Sequence, residues 1–105
     1  MKTAEVVVKN RVGLHSRPLN YFVETANHFK CAIWLEMSND SNRHVNAKSM
    51  LGVLSLGILA DSKVKIIADG SDEDAAVKAL EALINSEFKE PELYEVLRTV
   101  PSPFN

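Results

Sequence analysis

The stretch GLHSRPLNYFVETANHFK, residues 13–30, defines the first helix and the turn that leads into it. Gly13 permits a close turn because it has no Cβ atom. Beyond it, apolar residues recur at helical spacing: Leu19, Phe22, Val23, Ala26 and Phe29. We therefore predict a helix over residues 16–30 that packs through one apolar stripe.

Alternating apolar residues on both sides of this helix predict four strands. The alternation has the period of two that half-buried strands show, and it covers residues 2–9, 31–37, 43–47 and 63–69. Residues 38–42, which are Ser, Asn and Asp, separate the second strand from the third. Such side chains hydrogen-bond their own backbone in turns, so these two strands are predicted to form a hairpin.

Two further helices complete the pattern. Residues 49–60 are largely apolar but contain Gly52 and Gly57, which lower helicity, so they predict a short helix with a loosened end. Residues 71–89 repeat apolar side chains at helical spacing, and Ser71 with Asp74 resembles a capping box. The order β-α-β-β-α-β-α predicts an α+β domain with an antiparallel sheet and its helices on one face.

The composition is typical of one small globular domain. The chain has 105 residues, of which 46% are hydrophobic and 25% charged, and its formal net charge is −2. This charge disfavours direct nucleic-acid binding. No apolar stretch approaches the ~20 residues that span a bilayer, and residues 1–8 lack a signal-peptide core. We therefore expect a cytoplasmic protein without membrane insertion.

The pattern of cysteine and histidine predicts no metal site. Cys31 is the single cysteine, so it forms no internal disulfide. Neither His28 nor His44 lies at a ligand spacing from it. At a strand start, Cys31 is expected to be a small buried hydrophobic residue.

Residues 15–17 form the first candidate site. The first four amides of a helix have no partner within the helix, and together with the helix dipole they favour an anion. A phosphoryl group on the His15 ring would lie over these amides, and the Arg17 guanidinium offers several N–H donors to the same group. The residues alone leave open a simpler interpretation, in which His15 only caps the helix and Arg17 is a solvated charge.

Two motifs in register favour the first interpretation. GLHSRP at residues 13–18 and NAKSMLGVLSLG at residues 46–57 closely resemble the HPr family, the histidine-containing phosphocarrier proteins of the bacterial sugar phosphotransferase system. The resemblance covers residues 1–90 and leaves residues 91–105 as a C-terminal extension. It implies an open-faced sandwich of a four-stranded antiparallel sheet and three helices.

The resemblance also implies a carrier and not an enzyme. His15 would accept a phosphoryl group from enzyme I, itself charged by phosphoenolpyruvate, and pass it to sugar-specific IIA proteins. Arg17 would steady the phosphoryl group. No cofactor is implied.

Ser49 is the second candidate site. It stands where the second helix should begin, so its plain role is an N-cap. The resemblance is close to HPr proteins of low-GC Gram-positive bacteria, in which a dedicated HPr kinase/phosphorylase modifies the matching serine. Enteric members keep a serine there without this control. Regulation at Ser49 would add a catabolite-control transcription factor to the partners.

A partner-binding surface is implied at Ser16, Met50, Leu51 and Leu54. Among the three apolar residues, the clearest prediction of exposure is for Met50. The alternative for Leu51 and Leu54 is that they belong to the core, as most apolar residues on a packed helix do.

The sequence departs from the family pattern near the site, which leaves the identity of the partners open. Ser16 replaces an alanine, Leu19 replaces a small residue, and the Asn-Arg-Val of residues 10–12 is an unusual approach. A second hypothesis is a regulatory binding protein of the same fold that acts through Ser49 and a transcription factor. A third, an RNA-binding or ligand-sensing α+β domain, is disfavoured by the acidic balance and by the absence of an aromatic ribonucleoprotein motif.

The extension carries a short amphipathic pattern. Leu93, Val96 and Leu97 fall on one helical stripe. So short a helix is marginal in water by itself. We predict that it docks on the open sheet face near Trp34, and the alternative is a free segment or a partner contact.

Overall fold

The computed structural model describes residues 1–88, so the predictions for residues 91–105 lie outside the described residues. The elements are β1 (Lys2–Val7), α1 (Ser16–Ala26), β2 (Ala32–Met37), β3 (Asp40–Asn46), α2 (Met50–Ser55), β4 (Lys63–Asp69) and α3 (Glu73–Asn85). Their order confirms the predicted β-α-β-β-α-β-α succession.

The four strands form one antiparallel sheet in the order β1-β4-β2-β3. Alternate residues of the two central strands are buried on the face that the helices cover, as Ile33 and Leu35 of β2 and Ile66 of β4 illustrate. Trp34 lies on the opposite face and is half-buried. The fold is therefore the predicted open-faced sandwich.

The apolar stripes of the two longer helices form the core with the sheet. In α1 the stripe is buried at the predicted positions, and Phe22 is wholly inaccessible to solvent. In α3 the buried residues are Ala76, Val77, Leu80, Leu83 and Ile84. Cys31 is also buried, as expected, and burial together with its contact to Asp72 raises the pKa of its thiol to about 11.

The first helix ends at Ala26, and the prediction that it reaches Lys30 is wrong. The Asn27 side chain donates from Nδ2 to Val23 O at 2.9 Å and to Lys48 O at 3.2 Å, which closes the helix and ties its end to the chain before α2. The Lys30 amide is held instead by Asp72 Oδ2 at 2.8 Å. Lys48 and Asp72 are remote from this helix in sequence, so local periodicity does not reveal the helix end.

The hairpin turn is shorter than predicted. Ser38 and Asn39 alone connect the strands, because β3 already begins at Asp40, which pairs with Met37. The register of the hairpin shifts directly beside this turn, since Glu36, the residue before Met37, pairs with His44. The predicted side chain to backbone bonding is present at Asp40, whose Oδ1 accepts from Asn42 N at 3.1 Å.

The start and end of α3 also differ from the prediction. The Ser71 to Asp74 capping box is wrong: Asp72 is the N-cap residue, and its carboxylate accepts from the Lys30 and Cys31 amides at 2.8 and 2.9 Å. The helix ends at Asn85, short of the predicted Lys89.

Candidate functional site

The loop that leads into α1 is bound to the segment before β4. Val8 N donates to Ser62 O at 2.9 Å, and Asp61 N donates to Val8 O at 2.6 Å. Farther along, Leu14 N donates to Ile58 O at 3.0 Å, and the Leu14 side chain is fully buried. The residue directly before His15 is therefore anchored by both its backbone and its side chain.

Gly13 is required at its position in this loop. Its φ is +65°, a region that residues with a Cβ atom rarely adopt. A Cβ atom there would also lie only 2.2 Å from Ile58 O. Glycine is thus the residue that lets the loop approach residues 58–59, as the predicted close turn requires.

His15 is the N-cap residue of α1. Its backbone is extended, with φ −134° and ψ 161°, and its side chain makes no capping hydrogen bond. The residue is half-buried. The simpler interpretation, in which the ring serves as a helix cap, therefore finds no support, and the ring stands at the helix start without that role.

The surroundings of His15 favour an anion. The first turn of α1 contains no acidic residue. Between Val6 and Val23 the sequence has three cationic residues and no Asp or Glu, although the whole chain is acidic. Those cations are Lys9, Arg11 and Arg17, and all three are exposed. The positive end of the helix dipole also lies at the start of α1. A phosphoryl group on His15 would therefore be stabilised by both the cations and the dipole.

Ser16 connects His15 to the helix through a strained backbone. Its φ is +54°, the left-handed region that costs a residue other than glycine about 1 kcal/mol or more. It is exposed, and so is its neighbour Arg17. Backbone strain of this kind is concentrated at functional sites, and here it lies between the candidate acceptor and the candidate phosphate ligand.

Ser49 is the N-cap of α2, as predicted. Its Oγ accepts from Gly52 N at 3.0 Å. The turn before it is bound by Asn46, whose O accepts from Ser49 N at 3.0 Å and whose Oδ1 accepts from Lys48 N at 2.9 Å. The serine hydroxyl is half-buried at the start of a helix that packs against α1.

An apolar surface lies directly after Ser49. We call Met50, Leu51 and Leu54 the α2 patch; their exposed fractions are 40%, 77% and 43%. The alternative that Leu51 and Leu54 are core residues is wrong, because α2 and its end bury Val53 and Leu56 instead. Met50 is exposed, as predicted, and Leu51 is more exposed still.

The structure groups the predicted residues in two places. His15, Ser16 and Arg17 meet at the start of α1, whereas Ser49 and the α2 patch lie along α2. Sequence reasoning missed Asn10, which is 8% exposed and donates from Nδ2 to Gly13 O at 2.7 Å. The sequence does contain a signal for this residue, namely an amide side chain three residues before the required glycine.

Two kinds of feature are absent from residues 1–88. No helix in this part of the chain is long and apolar enough to cross a membrane. No group of three or more His, Cys, Asp or Glu side chains among these residues could hold a metal ion.

Comparison with known proteins agrees with this geometry. A family model described as the PTS HPr component phosphorylation site matches residues 2–86. The phosphocarrier protein HPr of Neisseria meningitidis is 38% identical over 92 residues, which cover 88% of this chain and all of that protein. The HPr-like protein Crh of Halalkalibacterium halodurans is 40% identical over 87 residues, 83% of this chain and all of that protein. The crystal structure of HPr-C-His from Thermoanaerobacter tengcongensis superimposes with a TM-score of 0.80 at 47% identity, covering 86% of this chain and 98% of the other.

Proposed function

The chain belongs to the HPr family, and on that basis we propose that it is a phosphocarrier in which His15 accepts the phosphoryl group. The observation that carries the proposal is the His15 ring at the start of α1, free of a capping hydrogen bond. Arg17 follows in the first helical turn, where no acidic residue opposes it.

In the proposed step, a lone pair of the neutral His15 ring attacks the phosphorus of a phosphohistidine on enzyme I. A new P–N bond forms, the donor's P–N bond breaks, and its electron pair stays on the donor ring. The amides at the start of α1 and the Arg17 guanidinium neutralise the charge of the phosphoryl oxygens. Transfer to a IIA protein repeats this exchange with His15 as the donor.

The α2 patch supplies the docking surface in this proposal. A transfer between two proteins depends on positioning more than on covalent chemistry from the carrier. Exposed Met and Leu side chains can adapt to several partners. Together with Ser16, they would seat enzyme I and IIA proteins in turn. The protein would act in the cytoplasm, where phosphoenolpyruvate is available.

We further propose that Ser49 is the regulatory site, modified by an HPr kinase/phosphorylase. A phosphate would add about two negative charges beside the α2 patch. The start of a helix tolerates such a charge, whereas a partner that docks on apolar side chains does not. Similarity to the HPr-like protein Crh supports a regulatory role of this kind, which would make a catabolite-control transcription factor a partner.

The Crh similarity also favours a second candidate function, regulatory binding with little phosphotransfer. Both functions use Ser49 and the α2 patch, and they differ in the use of His15. The test of phosphate uptake at His15 therefore separates them.

The experiment is incubation with enzyme I and phosphoenolpyruvate, followed by intact mass measurement. We expect one added phosphate that is labile in acid and stable in base. His15→Ala should abolish the uptake, whereas His28→Ala, which removes another ring outside the site, should retain it. Absence of uptake by the parent protein, or uptake that persists in His15→Ala, would contradict the proposal.

A further inference from the structure

Asn10 binds both backbone polar groups of Gly13. The Gly13 N–H donates to Asn10 O at 3.1 Å, and Asn10 Nδ2 donates to Gly13 O at 2.7 Å. The two residues between them, Arg11 and Val12, are exposed at the tip of the resulting turn. One side chain therefore closes the turn that precedes the candidate acceptor.

The second of these bonds fixes the orientation of a whole peptide unit. Gly13 C=O and Leu14 N–H belong to the same planar group. Asn10 Nδ2 holds its oxygen, and Ile58 O accepts from its N–H at 3.0 Å. The peptide is thus clamped on both sides, and the chain proceeds from it through the buried Leu14 to His15.

The environment of Asn10 separates it from an ordinary surface turn residue. Its side chain is only 8% exposed. Within residues 1–88, Oδ1 has no hydrogen-bond partner, although burying an unpaired acceptor is unfavourable. The donor at Nδ2 is therefore kept in the interior at a cost in stability. It lies where it orients the Gly13–Leu14 peptide, which directly precedes His15.

We propose that Asn10 is a positioning residue for phosphoryl transfer, which sets the place of the His15 ring by clamping the Gly13–Leu14 peptide. The inference rests on the proposed function, since it concerns the same acceptor. Asn10 itself touches no reacting atom in this account. Without its amide, the peptide keeps only the Ile58 contact, and the ring samples a wider range of positions over the helix start.

The test compares Asn10→Ala with Asn27→Ala. Asn27 also donates its side-chain amide to backbone carbonyls, but at the opposite end of α1. Two readouts are taken: the NMR signals of the His15 ring in the unphosphorylated protein, and the initial rate of phosphate uptake from enzyme I. Asn10→Ser, which leaves a smaller cavity, replaces Asn10→Ala if the latter does not fold.

We expect Asn10→Ala to move or broaden the His15 ring signals while those of His28 and His44 stay in place. Its uptake rate should fall by about tenfold or more, because small misplacements of a reacting group slow transfer steeply. Asn27→Ala should leave the His15 signals unchanged and the rate within about twofold of the parent.

Unchanged His15 signals in the folded Asn10 variant would overturn the positioning role, even if the uptake rate fell, because the loss would then arise elsewhere. A parent protein that takes up no phosphate would contradict the proposed function instead. In that case the ring signals would still support or overturn the effect of Asn10 on His15.

Discussion

At the scale of single residues, the candidate site depends on three consecutive side chains with different tasks. In the proposed function His15 would supply the nucleophilic ring and Arg17 would supply planar N–H donors, while Ser16 between them turns the backbone through a left-handed conformation. The place of His15 and Arg17 at a helix start could be predicted from the sequence, because the apolar stripe of α1 begins directly after them. The strain at Ser16 could not, since it follows from the way the anchored loop meets α1.

Replacing Arg17 by lysine tests its part in the site. Lys keeps the charge but loses the planar fork that suits phosphate. Arg17 is exposed, so we expect the melting temperature to stay the same. The initial rate of phosphate uptake should fall by about tenfold, which corresponds to one charge-assisted hydrogen bond. A rate equal to that of the parent would remove Arg17 from the mechanism.

Asn10 and Leu51 show which residue-scale features periodicity misses. A buried amide bound to a nearby backbone carbonyl has no signature in the alternation of apolar residues. The exposure of Leu51 depends on which side of a six-residue helix faces the core, and Val53 and Leu56 decide this. In so short a helix, the apolar pattern does not define one face.

At the scale of elements, α2 carries both the N-cap Ser49 and the α2 patch. A charge placed at Ser49 tests whether it disturbs docking on that patch. Ser49→Asp can keep a capping acceptor, so the fold should persist. We expect slower phosphate uptake from enzyme I, because a carboxylate lies beside Met50 and Leu51. The measurement is the initial rate at several concentrations of the protein.

Ser49→Ala is the matched control for this charge. It should lower the free energy of unfolding by about 1 kcal/mol through loss of the cap while its uptake rate stays near that of the parent. If Ser49→Asp accepts phosphate as fast as the parent, the regulatory role of Ser49 is wrong.

The start of α3 predicts an acid dependence of stability. Burial, the largest single influence, raises the pKa of Asp72, but hydrogen bonds from Lys30 and Cys31 outweigh it and leave the pKa below its usual value. A carboxyl whose pKa is lowered by folding stabilises the protein above its unfolded pKa, and this contribution is lost as the pH falls through the folded pKa. The affected window therefore lies below about pH 4.

We expect Asp72→Ala to lower the melting temperature at neutral pH, and the difference from the parent to be smaller at an acid pH below the ordinary pKa of an aspartate, about 4. Asp74→Ala, an exposed carboxylate in the first turn of the same helix, is the control and should have little effect. Thermal unfolding at both pH values measures this. A difference that is constant with pH would contradict the role of the Asp72 carboxylate.

Element boundaries were predicted where local chemistry decides them and missed where distant contacts do. β4 matches its predicted range, because its alternation is bounded by polar residues and by the turn at Gly70. The end of α1 depends on Asn27 reaching Lys48, and the start of α3 on Asp72 reaching Lys30. Such contacts exist only after the chain has folded.

At the scale of the whole molecule, the order of elements was enough to predict the α+β class and the one-sided helices. The overall acidity was less informative, because the segment from Val6 to Val23 carries the opposite charge. Trp34 lies on the face of the sheet opposite the buried side chains of β2, with which it alternates. This face is where the extension is predicted to dock.

Deleting residues 91–105 tests that docking. If the stripe of Leu93, Val96 and Leu97 packs near Trp34, the deletion should lower the melting temperature by about 4 °C or more and change the fluorescence of Trp34. Phosphate uptake at His15 should continue, since the site is built from residues 1–88. If melting and fluorescence are both unchanged, the extension does not dock on this domain.

The central claim is that His15 holds a phosphoryl group that can be passed on, and reversal of the transfer tests it most directly. The protein is phosphorylated with enzyme I and phosphoenolpyruvate, separated from both, and mixed with unphosphorylated enzyme I. We predict that the mass of the protein falls by one phosphate while enzyme I gains it, because two phosphohistidines lie close in transfer potential. A phosphate that stays on the protein, or that leaves only as free phosphate, would contradict the phosphocarrier role.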